Sequence, residues 1–581
     1  MISLLKYLTG YRKEAFLAPF FKLLEALFDL LAPLVVAWMI DKGIAAKNRE
    51  VAVEAFWLLV GLACVGFAIA AVAQYYAAKV AATFTSRVRR AAFSRVQRFS
   101  YSQLDRFGSD SIATRLGYDA NQMQTGLNLA LRLALRSPIV VFGAIVMSFF
   151  VDVYGALVFL GVFLPLALVV FAVVVKSIPL NAESQRRLDA AALAARENID
   201  GFRVVRAFNM ESHEKSRFET LLTRLYETQQ KAAVVAGLMN PATYLIVNLG
   251  LVGLIYTGAA RIQIGAATQG ETVALVNYMS QILVELVKLA NLLVQTNRAV
   301  VCSRRLAEVI NEPEDMVEGT LELPERTGPD DVAVSFQNVS LTYPGAAGKA
   351  LDGISFDVKV GQTVGIVGGV GAGKTSLANL IPRFYDATEG TVQVFGRDVR
   401  EYRFASLRSA FGIAPQVAEL FEGTVASNLR WGAENATDED LYAALEIAQA
   451  TDFVPATPEG LAQKVEARGR NLSGGQRRRL TIARALVRRP RVLILDDASA
   501  SLDYGTDARL RAALREARAG TTTFIVAQRV VATMDADLIL VLDEGRLVGL
   551  GNHETLLREN DAYREIYNTQ FPDDEKGGAK R

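Results

Sequence analysis

Cysteine and histidine are scarce in this sequence, with two residues of each among 581. Cys64 and Cys302 are too few for a disulfide framework, and Cys64 lies inside an apolar run, which favours a buried thiol. The histidines, His213 and His553, match no metal-ligand spacing. The sequence therefore argues against a disulfide-stapled secreted domain and against a catalytic zinc site.

Net charge is also small, and apolar residues are abundant. The formal net charge of +2 gives no overall basic surface for nucleic acid. Hydrophobic residues make up 51% of the chain and the mean hydropathy is positive, although 21% of the residues are charged. The apolar residues are concentrated before about residue 300, and the later part alternates strand-like and helical segments. The sequence predicts a membrane domain joined near residue 310 to a soluble α/β domain.

The first part contains six apolar segments, each longer than the roughly 20 residues that cross a bilayer as a helix. They are Phe16–Ile40, Val51–Ala78, Leu127–Phe150, Val153–Val175, Ala232–Ala260 and Thr272–Val294. An even number of crossings places both chain ends on the same side of the membrane.

The distribution of lysine and arginine predicts which side that is. Residues 79–126 carry eight and residues 176–231 carry ten, whereas the segment 41–50 carries three and 261–271 carries one. By the positive-inside rule, both long segments and both termini are cytoplasmic.

The N-terminal sequence lacks a small-residue cleavage site, so we expect it to remain as the first span of a multi-pass cell-membrane protein. The two long segments have helical periodicity and are expected to extend out of the membrane toward the soluble domain.

Several ionisable residues lie within the predicted spans. Lys22, Glu25 and Asp29 share one face of the first span, and Glu285 and Lys288 lie on one side of the sixth, followed by Asn291 and Gln295. Intramembrane charges usually face a cavity or pathway, which would place Glu285 and Lys288 at a cargo cavity. The alternative is that these helices extend beyond the bilayer and that the charges are solvated.

The soluble part begins with a phosphate-binding motif. The stretch "TVGIVGGVGAGKTSLANLI" has a strand, a glycine-rich loop and a helix, and it fits G-x-x-x-x-G-K-[ST]. Lys374 is expected to neutralise the β- and γ-phosphates of ATP, and the Thr375 hydroxyl to bind Mg²⁺. The strand "RVLILD" is expected to bring Asp496 to the same metal. The nucleotide-binding residues predicted from the loop are Gly368, Gly371, Gly373, Lys374, Thr375 and Ser376.

A second motif, "NLSGGQRRRLTIARAL", places Ser473, Gly474, Gly475 and Gln476 at the start of a helix, where a hydroxyl and free N–H groups can bind an anion. Between a phosphate loop and an aspartate-terminated strand, this motif resembles the signature of the ATP-binding cassette (ABC) transporters, and the resemblance covers the whole chain. It implies an all-α six-helix transmembrane domain over residues 1–310, a linker over 311–331, an α/β P-loop nucleotide-binding domain over 332–571 and a polar tail over 572–581.

Further residues match the family pattern. Tyr343 is similar to the aromatic residue on which adenine stacks, and Gln416 to the glutamine that contacts Mg²⁺ and the attacking water. Asp503 is similar to the loop aspartate that reaches a partner domain. The segment "VEARG" before the signature departs from the family's usual V-G-E-R-G. The coupling contact that the family makes through this segment is therefore not assigned to this chain.

Two departures concern hydrolysis. The family usually has glutamate, the catalytic base, after the aspartate of the strand, and this chain has Asp497, with a stem shorter by about 1.5 Å. The family's later switch histidine is replaced by Gln528, which does not titrate near neutral pH. His553 lies elsewhere in the pattern and does not substitute for it.

With an intact signature, these departures imply a subunit that binds ATP and Mg²⁺ but hydrolyses ATP weakly at Asp497, Gln528 and Gln416. They also imply that this subunit completes the competent site of a second half-transporter, which carries glutamate and histidine at the two switch positions. The resemblance is to heterodimeric bacterial multidrug exporters, which move hydrophobic or amphipathic cargo, drug or lipid-like, out across the membrane. The alternatives are an importer with exporter architecture and an ATP-gated regulatory or channel subunit.

Overall fold

The chain forms two units in the computed structural model, which describes residues 2–324, 328, 330–454, 459–497, 502–517 and 520–571. The first unit comprises Met1–Arg98 and Gly108–Glu312, and the second comprises Phe99–Phe107 and Pro313–Arg581. The predicted tail 572–581 and part of the predicted linker, 325–327 and 329, lie outside the described residues.

The first unit is all-α. Its described residues contain six helical stretches long and apolar enough to span a membrane, namely Arg12–Ala45, Arg49–Val96, Ser109–Val151, Val153–Asp200, Glu211–Gln263 and Gln269–Asn311. The helices up to residue 311 are α1 (Arg12–Trp38), α2 (Arg49–Val96), α3 (Tyr101–Phe107), α4 (Ser109–Thr114), α5 (Ala120–Leu133), α6 (Arg136–Val151), α7 (Val153–Asp200), α8 (Phe202–Ala207), α9 (Glu211–Gly237), α10 (Met239–Gln263) and α11 (Gln269–Asn311). A 3₁₀ helix (Ile2–Leu8) precedes them, and π-helical turns follow α1 (Met39–Ala45) and α4 (Arg115–Asp119). The predicted six-helix transmembrane domain is confirmed.

Side-chain caps mark where three of the long helices begin. Asn48 accepts hydrogen bonds from backbone N–H groups at the start of α2, and Asp152 does so at the start of α7. Thr268 and Glu271 form a reciprocal capping box at the start of α11. Each cap satisfies backbone donors that no helical carbonyl can reach, and so fixes the point where the chain turns into the next helix.

The second unit is the predicted α/β domain, and its described residues form three sheets. The strands are β1 (Val332–Leu341), β2 (Leu351–Lys359), β3 (Thr363–Gly368), β4 (Glu389–Val394), β5 (Arg397–Asp398), β6 (Phe411–Ala414), β7 (Gly423–Thr424), β8 (Lys464–Val465), β9 (Val492–Asp496), β10 (Thr522–Val526), β11 (Leu538–Asp543) and β12 (Arg546–Gly551). Their orders are β2-β1-β4-β5, β12-β11-β3-β10-β9-β6 and β7-β8. In the six-stranded sheet all neighbouring pairs are parallel except β11–β12.

The second unit also contains helices. They are α12 (Lys374–Leu380), α13 (Phe404–Ser409), α14 (Val425–Leu429), α15 (Asp438–Ile447), α16 (Gly474–Val487), α17 (Tyr504–Ala517), α18 (His553–Glu559) and α19 (Asp561–Gln570). Every residue of β3 and β9 is buried, as expected for central parallel strands covered on both faces.

The short helix α3 packs with the second unit although it precedes most of the first in sequence. The Tyr101 ring lies 4.6 Å from the Phe384 ring, centroid to centroid. The Tyr385 hydroxyl donates to the Asp105 carboxylate at 2.8 Å, and the Gln103 amide donates to the Pro313 carbonyl at 2.7 Å. Aromatic contacts and hydrogen bonds together hold this helix on the α/β unit.

Candidate functional site

Four neighbouring parallel strands, β3, β10, β9 and β6, bring the candidate residues to one edge of the sheet. Because the strands are parallel, their carboxyl ends lie side by side. The P-loop follows β3, Gln528 lies two residues after β10, Asp497 follows β9, and Gln416 lies two residues after β6. Residues far apart in sequence therefore meet where α/β sheets commonly bind ligands.

The P-loop conformation requires glycine at two of the predicted positions. Gly373 precedes α12 with φ of 92°, and a Cβ there would lie 2.6 Å from the Ala350 carbonyl oxygen. A Cβ on Gly368 would lie 2.2 Å from the Leu542 carbonyl oxygen. The Lys374 ammonium donates to the carbonyl of Gly368 at 2.8 Å. The loop therefore folds tightly around the lysine, with its backbone accessible to a phosphate.

Burial shifts the pKa values of both charged groups at the centre of the site. Desolvation lowers the pKa of Lys374, opposed by the carboxylates of Asp497 and Asp496. Desolvation raises the pKa of Asp496, while the hydrogen bond from Thr375 acts in the opposite direction. A polyphosphate would compensate the desolvated ammonium, and a cation would compensate the desolvated carboxylate.

A hydroxyl and a carboxylate form the candidate metal position. The Thr375 hydroxyl donates to the Asp496 carboxylate at 3.1 Å, and Gln416 lines the same cavity. These oxygen ligands suit Mg²⁺, which is usually held by few protein groups together with phosphate oxygens and water. Among the described residues, no cluster of three or more histidine, cysteine, aspartate or glutamate side chains could hold a metal without such a co-ligand.

Asp497 has an uncommon backbone conformation. Its φ of 49° lies in the left-handed region, and its N–H donates to the Val526 carbonyl at 2.9 Å. This bond holds Asp497, the residue after β9, against the end of β10. The Asp497 side chain is half-buried and faces the cavity.

The predicted nucleotide residues line a common cavity of about 440 Å³. Its walls include Tyr343, Gly371, Gly373, Lys374, Thr375, Ser376, Gln416, Asp496, Asp497 and Gln528. The Tyr343 hydroxyl donates to the Ser376 hydroxyl at 2.9 Å, so the aromatic ring is tied to the P-loop. Gly368 contributes the carbonyl that holds Lys374.

The signature residues form a separate group. Ser473 caps α16, accepting from the N–H of Gln476 at 3.2 Å, while the Gln476 side chain accepts from the N–H of Ser473 at 2.8 Å. Ser473 and Gly474 are exposed, and none of the described cavity-lining residues belongs to 473–476.

Asp503 also lies on the surface, outside that lining. Its carboxylate accepts from the Thr506 N–H at 2.9 Å, and this bond holds the pKa of Asp503 below its usual range. The predicted residues therefore divide into one group inside the cavity and one group exposed on the surface.

Arg478 also lies at this site, although none of the sequence motifs includes it as a candidate residue. It lies on α16, is buried, and interacts electrostatically with Asp497 and Asp496. Its Nη1 has no hydrogen-bond partner among the described residues, and burial lowers its pKa. A basic residue on a buried position of an amphipathic helix is the signal that could have identified it. Its charge offsets part of the repulsion between the two adjacent aspartates.

Sequence comparison places the chain in a large family. Residues 15–286 match the ABC transporter transmembrane region and residues 351–500 match the ABC transporter domain. The chain is 34% identical over 578 residues to an uncharacterized ABC transporter ATP-binding protein, YfiB, of Bacillus subtilis, covering 98% of this chain and 99% of the relative. It is 30% identical over 464 residues to an ATP-dependent lipid A-core flippase of Vibrio vulnificus, covering 80% and 79% of the two chains.

Structure comparison gives the same result. A bacterial Atm1-family ABC exporter solved with ATP bound superposes with a TM-score of 0.79 at 26% sequence identity, covering 97% of this chain and 98% of that chain. The match extends over both the all-α and the α/β units. The chain therefore belongs to the ABC transporters, as an ATP-driven half-transporter of the exporter type whose transmembrane and ATP-binding domains are fused.

Proposed function

We propose that this chain is the degenerate-site subunit of a heterodimeric exporter. ABC half-transporters dimerise. In the proposed pair this chain binds Mg²⁺-ATP in its own cavity, hydrolyses it slowly, and supplies its signature to a hydrolytic site on the partner. The partner carries glutamate and histidine at the positions of Asp497 and Gln528.

The proposal rests on the separation of the two groups of site residues, together with the presence of Asp497 and Gln528 in the cavity. Lys374, Thr375 and Asp496 form a cavity suited to ATP, so nucleotide binding is intact. Ser473 and Gly474 are ordered by a complete capping box and yet exposed. A preserved anion-binding helix start outside the chain's own cavity is suited to another chain's phosphate.

Two residues inside the cavity support slow hydrolysis. The shorter stem of Asp497 moves its carboxylate away from the position that a glutamate base reaches, and misplacement by about 1 Å can reduce a rate about a hundredfold. Gln528 offers an amide to the phosphate but no titratable proton. If mutations had accumulated throughout a domain without function, the P-loop and the signature would not both be preserved.

The proposed cargo is hydrophobic or amphipathic, drug-like or lipid-like. A named lipid flippase among the relatives supports this class. The lysine and arginine distribution supports a cell-membrane orientation in which both termini and the ATP-binding domain are cytoplasmic.

Phosphate release by the purified chain in nanodiscs tests the proposal. We expect Mg²⁺-ATP binding that Lys374→Ala weakens, with phosphate release close to the protein-free background. Turnover above about 1 per second, the lower end of ordinary enzyme rates, would contradict slow hydrolysis if Lys374→Ala abolished it.

A further inference from the structure

Arg136 at the start of α6 joins acidic residues from two other spans. Its guanidinium lies 2.7 Å from the Asp29 carboxylate and 3.5 Å from that of Glu25, both on α1. It also donates to Glu285 on α11, whose second carboxylate oxygen accepts from the Ser137 hydroxyl at 2.7 Å. One arginine therefore links three helices through three carboxylates.

Two lysines extend this network at either end. Lys22 pairs with Glu25 at 2.5 Å, and Lys288 pairs with Glu285 at 2.9 Å. The network formed by Lys22, Glu25, Asp29, Arg136, Glu285 and Lys288 thus balances three cationic side chains with three carboxylates. We call these six residues the ion-pair network.

Exposure differs sharply within the ion-pair network. The side chains of Lys22, Glu25, Arg136 and Glu285 are between 4% and 14% exposed, which opposes the interpretation that the spans simply extend into solvent. Asp29 and Lys288 are 42% and 41% exposed. One carboxylate and one ammonium, at different points of the network, are therefore accessible.

Both accessible groups line a cavity of about 510 Å³. Asn277, Ser280 and Gln281 add neutral polar groups to its wall. Its apolar wall consists of Ala32, Pro33, Val36, Val140 and Val284. The cavity thus combines an accessible carboxylate, an accessible ammonium and an apolar surface.

We propose that this cavity binds the headgroup of a zwitterionic amphiphile, whose cationic group pairs with Asp29 and whose anionic group pairs with Lys288. The inference rests on the proposed export function and names the cargo class at the transmembrane domain. The apolar wall contacts the first part of the hydrocarbon chain.

Charge balance is the reason for a zwitterion. The ion-pair network is neutral as a whole, and an uncompensated charge within an apolar region is costly. A singly charged ligand adds one charge to the site and leaves either Asp29 or Lys288 without a new partner. A zwitterion supplies a partner of each sign and leaves the total charge unchanged.

Photolabelling without ATP tests the inference on the purified chain in nanodiscs. Three probes share one diazirine-bearing alkyl chain and carry a phosphocholine, a trimethylammonium or a methyl phosphate diester headgroup, and each of the last two has a single charge. We expect the phosphocholine probe to label peptides of α1, α6 and α11 about tenfold more than the other two, as one additional charge pair would give. Asp29→Asn should shift the preference to the phosphate probe, and Lys288→Gln to the trimethylammonium probe.

Lys215→Gln is the matched control, because Lys215 is an exposed lysine on α9 outside the network. It should leave the headgroup preference unchanged. Labelling independent of headgroup charge, or equal loss of all three probes in both variants, would overturn the inference and leave the network as a purely structural link. Thermal unfolding in the same nanodiscs reports folding, and phosphate release without cargo tests the proposed weak hydrolysis separately.

Discussion

At the scale of single residues, the backbone of Asp497 helps to explain why aspartate is tolerated there. A φ of 49° costs most non-glycine residues free energy, whereas aspartate and asparagine adopt this region more readily than others. Glutamate lacks the short side chain that bonds locally in this conformation. The short carboxylate thus suits the backbone conformation of Asp497, and in the proposed mechanism it reaches less far into the cavity than a glutamate would.

Restoring hydrolysis should therefore require two changes. In a pair whose partner carries glutamine in place of its catalytic glutamate, phosphate release reports this chain's site. We expect Asp497→Glu with Gln528→His to raise the rate about a hundredfold, because base position and γ-phosphate contact are both restored. Either change alone should restore little.

The control adds Lys374→Ala to the double variant, which should remove the gain. If Asp497→Glu alone gave the full increase, Gln528 would not limit the reaction. If the double variant gave none, the deficiency would lie elsewhere in the cavity.

At the scale of elements, the features that depend on local sequence could be predicted, whereas those that depend on long-range pairing could not. Apolar length was enough to find the six spans, and the glycine, lysine and serine spacings located the P-loop and α16, because these signals are local. The insertion of β10 between β3 and β9, which brings Gln528 beside Asp497, depends on strand order. Arg136 lies within the third apolar segment, but its partners are on other helices, so only the packing of α1, α6 and α11 reveals them.

The attachment of α3 to the α/β unit gives a test at this scale. Tyr385→Phe removes the hydroxyl that donates to Asp105 and keeps the aromatic ring. One net hydrogen bond contributes about 1 kcal/mol, so amide exchange over residues 101–107 should accelerate about fivefold. Hydrogen–deuterium exchange with mass spectrometry measures this.

Tyr442→Phe is the matched control, since Tyr442 is a partly exposed tyrosine on α15. It should leave the exchange of α3 unchanged. Unchanged exchange in Tyr385→Phe as well would show that the ring contacts of Tyr101 hold the helix without the hydroxyl.

At the scale of the whole molecule, each chain of a proposed pair contributes to two ATP sites in different ways. Lys374, Asp496 and Asp497 remain with this chain's own cavity. The exposed start of α16 is expected to close over the γ-phosphate bound by the partner. Mutations in one polypeptide should therefore separate into two kinds according to which site they affect.

We expect Ser473→Ala or Gly474→Asp to reduce ATPase of the assembled pair about a hundredfold or more, because donors that meet developing charge on the phosphate are lost at the active site. Lys374→Ala should weaken ATP occupancy in this chain and leave substantial turnover at the partner's site. Phosphate release by the co-purified pair, with one substitution at a time, gives the comparison.

Thr437→Ala is the matched control for Ser473→Ala, because Thr437 caps α15 through the same kind of capping box. Both substitutions remove a helix cap, at a cost of about 1 kcal/mol of stability, but only one lies at the signature. A small effect of Thr437→Ala beside a large effect of Ser473→Ala would assign the loss to the phosphate contact rather than to folding. Lys374→Ala as damaging as the signature variants would instead mean that this chain's cavity hydrolyses ATP or must be occupied for the partner to do so, and the proposed division between the two sites would fail.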